Sequence, residues 1–173
     1  MFHLAIKGVR FNVARYVATL VAICGDHPFF SVDDWFIGAT GMPGGIPETT
    51  RTLTVKFQYN NLASLASLFD AYPGRIACVM MEAETTEPPQ DQFLQRVQQL
   101  CHKNGAVFIL DEIITGFRWH IGGAQRVYGI VPDLCTFGKA MANGFALAAL
   151  IGRRDLMERG GIHHPHERVF LLS

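Results

Sequence analysis

The stretch Ala106-Val107-Phe108-Ile109-Leu110-Asp111-Glu112 runs from unbroken apolar residues straight into two acids. A segment apolar at every position suits a strand buried on both faces, as in a parallel sheet. Upstream, Ile76-Ala77-Cys78-Val79-Met80-Met81 repeats the pattern and is closed by Glu82. Between the two runs, Pro88-Pro89 predicts the opening of a helix over Gln92 to Asn104, which Asn104-Gly105 then stops. Strand, helix and strand in this order predict an α/β fold: a mostly parallel sheet flanked by helices.

The remaining segments extend that frame. Leu20 to Cys24 reads as a short buried strand, and Val9 to Ala18 has helical spacing of apolar groups. Gly38 to Pro47 is rich in glycine and proline and must be a loop. Thr52 to Phe57 alternates as a strand does. Asn61 to Ala71 places Leu62, Leu65, Leu68 and Phe69 on one helical face. Leu134 to Phe137 and Leu147 to Ile151 complete the strands.

Bulk properties exclude several classes of function. The chain has 173 residues, 49% of them hydrophobic and 17% charged, which supports a packed core. Fifteen basic residues balance fifteen acidic ones, so no global field draws in nucleic acid or anionic lipid. Tyr16 to Cys24 is too short to span a bilayer, and Gly25-Asp26-His27-Pro28 reads as a turn, not a leader cleavage site. Cys24, Cys78, Cys101 and Cys135 form no C-x-x-C pair and read as reduced, buried thiols of a cytoplasmic protein. His163, His164 and His166, gathered around Pro165, lack regular ligand spacing, so no metal is expected.

In open parallel sheets functional groups collect beyond the carboxyl ends of the strands. Glu82, Asp111 and Gly138-Lys139 all fall at such ends. Asp111 after an apolar strand also suits the magnesium segment of a P-loop ATPase, but no G-x-x-x-x-G-K-[ST] loop precedes it. Lys139 lies among Phe137, Gly138, Ala140, Met141 and Ala142, a setting that predicts a buried amine, and a buried amine is a usable nucleophile for a carbonyl. An amine paired with an acid suits pyridoxal 5'-phosphate, which needs the one for an imine and the other to keep its ring nitrogen protonated.

Asp111-Glu112-Ile113-Ile114-Thr115-Gly116-Phe117-Arg118, then Gly122-Gly123-Ala124-Gln125, Tyr128-Gly129, Pro132-Asp133-Leu134, Gly138-Lys139 and Gly152-Arg153-Arg154 resemble the class III pyridoxal-phosphate-dependent aminotransferases, most closely the glutamate-1-semialdehyde aminomutase-like branch. The resemblance holds in order and spacing from Ala106 to Met157 and more loosely upstream. It implies the large domain of a fold-type I enzyme and amino-group transfer, by a transaminase or an aminomutase. Lys139 would form the internal aldimine, Asp111 would pair with the pyridine nitrogen, and Ile113 would pack on the ring face. Glu82 matches the acid closing the preceding strand, with a packing or orienting role. Partners would be an amino donor, a keto or aldehyde acceptor, and a second copy in a homodimer.

The family pattern breaks in places. Lys7-Gly8-Val9-Arg10-Phe11-Asn12 lacks the Ser-x-Ala-Thr string that binds the cofactor phosphate. Phe29 or Phe30 stands where an aromatic normally stacks on the ring. Residues 1–173 would be the central part of the cofactor-binding domain, with the C-terminal small domain absent and apolar surface left exposed. The alternative is a non-catalytic, truncated relic that keeps the fold and at most weak cofactor contact.

Overall fold

The computed structural model describes residues 20–24, 44–45, 47–84 and 86–158. The predicted helix over Val9 to Ala18, the Lys7–Asn12 segment, Phe29, Phe30 and the three histidines of 163–166 lie outside them. The elements run β1 (Leu20–Cys24), α1 (Glu48–Arg51), β2 (Thr54–Phe57), α2 (Leu62–Ala71), β3 (Ile76–Glu82), α3 (Phe93–Lys103) and β4 (Val107–Asp111). There follow α4 (Ala124–Tyr128), β5 (Leu134–Phe137), a 3₁₀ turn (Lys139–Met141), β6 (Ala149–Gly152) and α5 (Arg154–Met157). One sheet holds all six strands in the order β2-β1-β3-β4-β5-β6. Its first five strands pair in parallel, and β6 closes one edge antiparallel to β5.

The two apolar runs form the centre of the sheet, where the absence of polar residues predicted burial on both sides. Alternation divides their side chains cleanly. Val79, Met81, Phe108, Leu110, Cys135 and Phe137 join the main core with Leu65 and Phe69 of α2 and Leu94, Val97 and Cys101 of α3. Cys78, Val107 and Ile109 face the other way and pack with Leu156 of α5. No disulfide joins the four cysteines, all buried, and desolvation pushes the Cys78 thiol up to about 12. No helix among the described residues is long and apolar enough to cross a membrane.

Element ends follow local chemistry. Asn61 caps α2 by accepting from the Ser64 N–H at 3.1 Å. Helix α3 starts one residue later than expected because Gln92 takes a left-handed φ of 57°. It stops where the sequence predicted, with Gly105 at φ 71° and its N–H on the His102 carbonyl. Strand β2 begins two residues later than predicted because the turn that closes α1, with the Thr52 N–H on the Glu48 carbonyl at 3.0 Å, takes up Thr52 and Leu53. Strand β6 is shifted toward Gly152, whose position explains its residue type. A Cβ there would lie 2.3 Å from the Asp133 carbonyl oxygen.

Candidate functional site

Strand register decides what meets at the carboxyl rim. Glu82 ends β3 opposite Asp111 at the end of β4, and Asp111 is opposite Thr136 of β5. The pleat sets all three on the face of Met80, Ile109 and Leu134, away from the main core. Lys139 follows Thr136 by three residues, after the chain leaves β5 at Gly138. Three neighbouring strands therefore deliver two carboxylates, a hydroxyl and an amine to one rim.

Asp111 is buried, at 5% exposure. Its Oδ1 accepts from the Ile113 N–H at 2.7 Å, which folds the chain back over the strand end. Burial pushes the carboxyl above its ordinary range, and Glu112 adds to the rise. The Ile113 N–H, the Thr136 hydroxyl and Lys139 pull against it without cancelling it. Thr136 Oγ1 is itself buried and closes no complete hydrogen bond, although it is near enough to Asp111 to favour the charged form. Glu82 is half-buried and is also raised, first by desolvation, then by Asp111, with Lys139 opposing.

Ile113 packs beside Gly138: a Cβ placed on that glycine would meet Ile113 Cγ2 at 3.5 Å, an ordinary contact. Lys139 departs from expectation in one respect. Its side chain is exposed, not buried, and its backbone takes φ 43°. Apolar neighbours in sequence did not bury it because the chain turns at this point, into a 3₁₀ turn whose next residues are only half-buried.

Glu112 was not singled out from the sequence, yet it organises the loop after β4. Its side chain is fully buried. Oε2 accepts from the Ala124 N–H at 2.8 Å and from the Thr115 hydroxyl, and Oε1 accepts from the Gln125 N–H at 2.7 Å. The carboxylate thus satisfies the first N–H groups of α4. Glycine is needed at position 123, where φ is 76° and a Cβ would lie 2.5 Å from Glu112 Oε1. The Gly122-Gly123-Ala124 string after a buried acid was the available signal. Thr136 was also missed, though its spacing of two from Leu134 places it on the Asp111 face.

An acid short of partners with an amine within its field can bind a cationic heterocycle bearing a carbonyl. Comparison with known proteins bears directly on this arrangement. Residues 38–165 match the family model described as aminotransferase class-III. The chain belongs to the class-III aminotransferase family. Among solved structures, the PLP internal aldimine form of the FumI protein from Sphingopyxis sp. MTA144 is 27% identical, with a TM-score of 0.71 over 81% of this chain and 34% of that one. An omega-transaminase from Sphaerobacter thermophilus is 25% identical, with a TM-score of 0.71 over 88% of this chain and 40% of that one. A structure described as a transaminase with PLP bound shares the fold at 22% identity, with a TM-score of 0.74 over 87% of this chain and 39% of that one. The chain thus spans 34% to 40% of the length of these three structures.

Proposed function

We propose that this chain carries the cofactor-binding part of a pyridoxal 5'-phosphate-dependent enzyme of amino-group transfer. The supporting observation is the buried, under-partnered Asp111 within the electrostatic reach of Lys139, at the carboxyl rim of adjacent parallel strands. The residues fit the group. A carboxyl raised by burial gains most from a cationic partner, and a protonated pyridine nitrogen is one. The orphaned Thr136 hydroxyl beside it is a further polar group for the cofactor to meet.

When bound, the cofactor supplies an electron sink for the carbanion formed beside the substrate nitrogen. The chain's own residues then have distinct tasks. Asp111 would hold the ring nitrogen, with its Oδ1 kept in place by the Ile113 N–H. The Ile113 side chain would pack on the cofactor. Lys139 Nζ would hold the cofactor's carbonyl end and serve as the base that takes and returns a proton.

The substrates are an amino donor and a keto or aldehyde acceptor, turned over by a transaminase or by an aminomutase of the glutamate-1-semialdehyde branch that the sequence resembles. Residues 1–173 act as a large-domain segment. Exposed Ile121, Val131 and Phe145, at 80%, 78% and 86%, suit cover by a second copy in a homodimer. The buried, unoxidised thiols suit the cytoplasm.

The test is direct. The purified chain is mixed with pyridoxal phosphate, reduced with borohydride, and its peptides are mapped. Modification at Lys139, abolished in Lys139→Ala, is expected. Absence of modification, or modification spread over other lysines, overturns the proposal. Modification without turnover of any amine and keto acid pair assigns the chain to cofactor binding alone.

A further inference from the structure

We infer that Thr136 is a further positioning residue of this site. Its hydroxyl is a donor held in reserve for the Asp111 carboxylate, and it closes on that carboxylate when a cation of the bound cofactor pairs with it. For the identity of the cation, the inference rests on the function proposed above.

Thr136 Oγ1 is a polar atom sealed from solvent without a partner. Among the described residues it is the one buried side-chain oxygen or nitrogen that closes no hydrogen bond. Giving up water with nothing in return costs stability, so such an atom points to a partner still to be met. The backbone around it is held on both sides. The sheet sets Thr136 opposite Asp111 of β4 and opposite Leu150 of β6. Its carbonyl accepts from the Glu112 N–H at 2.9 Å, which fixes the residue after Asp111 against it.

Strand geometry leaves the hydroxyl one group to act on. Residues directly opposite share a face, as do residues two apart along a strand. The neighbours of Thr136 within the sheet are therefore Leu134, Leu150 and Asp111, and only Asp111 has a polar side chain. One oxygen of that carboxylate is committed, since Oδ1 accepts from the Ile113 N–H at 2.7 Å, and Oδ2 is left for further donors. A hydroxyl donates most strongly to an ionised acceptor. Hydrogen bonds of an active site that are long or misaligned in the free protein tighten once the ligand is in place. Thr136 is thus placed to steady Asp111 as it meets a cation, which a valine of the same shape could not do.

The experiment removes the hydroxyl and keeps the shape. In Thr136→Val the full chain should unfold at an unchanged or higher urea concentration, because an orphaned polar atom is gone. Its affinity for pyridoxal phosphate, followed by absorbance, should fall by about fivefold or more, and Thr136→Ser should restore it. Carboxyl-carbon NMR titration without cofactor gives an independent reading. The Asp111 midpoint should rise by about half a pH unit or more in Thr136→Val, because a donor to the charged form is lost, and return in Thr136→Ser. Glu82, Glu112, Cys135 and Lys139 also couple to Asp111 and are the same in all three chains, so the difference belongs to the hydroxyl. An affinity or an Asp111 midpoint left unmoved by Thr136→Val, or not restored by Thr136→Ser, overturns the inference. So does a loss of stability alongside the loss of affinity, which makes the hydroxyl structural. Where Thr136→Val does not fold, Thr136→Ala replaces it in both measurements. Failure of uptake in every chain, the unaltered one included, strikes the functional proposal and leaves the titration to judge Thr136.

Discussion

Asp111 and Asp133 are both buried aspartates bounding adjacent parallel strands, and they stand at opposite rims of the sheet. Asp133 precedes β5 and is saturated with partners. Its Oδ2 accepts from the Phe108 N–H at 2.8 Å and lies 3.0 Å from His102 Nε2, and its Oδ1 accepts from Arg153 Nη1 at 2.9 Å. Burial alone would raise it, but Phe108, Arg153 and His102 together hold it below the ordinary carboxylate range. Asp111 has the Ile113 N–H and the weak help of Thr136, and it stays above that range. The saturated acid ties α3, β4, β5 and the residue after β6 into one node. Under the function proposed above, the unsaturated one pairs with the cofactor. Equal burial with unequal partnering then separates a structural carboxylate from a binding one.

The contrast can be broken by substitution. Asp133→Ala should cost about 3 kcal/mol, since it strands the Phe108 N–H and removes the anchor of Arg153. Urea unfolding would measure it, and a loss under about 1 kcal/mol would remove the structural role. The pH dependence sharpens the same point. Asp133 is lowered, so its contribution is present above the ordinary carboxylate range and is lost as pH falls through its native value. The stability gap between the unaltered chain and Asp133→Asn should therefore close on acidification. Asp111 is raised, so the sign reverses: stability is fullest below the ordinary range and declines as pH rises through the native value. The smallest expected effect follows. Asp111→Asn should leave stability at neutral pH unchanged or raise it slightly, by less than about 1 kcal/mol, while cofactor uptake falls. A strongly destabilised Asp111→Asn would make the two aspartates alike and end the distinction.

The central strands were legible because burial on both faces forbids polar residues, and that prohibition is written in consecutive letters. The ends of α2 and α3 were legible for a similar reason, since Asn61, Asn104 and Gly105 act on their own neighbourhood. Short elements were less visible. Helix α4 spans five residues and depends on Glu112, twelve positions away, whose partners are backbone N–H groups with no signature of their own. The exposure of Lys139 was misjudged because apolar neighbours describe the strand it leaves, whereas a left-handed φ at Lys139 governs where the chain goes next.

By itself the sequence determined the sheet, its mostly parallel sense, and the acid and amine that end its strands. All of these follow from periodicity and from which residue stands last in an apolar run. Tertiary structure alone decided that Glu82 faces Asp111, that Thr136 joins them, and that Asp133 is saturated while Asp111 is not. Those facts depend on register between strands and on donors brought from distant elements, and contacts across such separations leave no local trace in the chain.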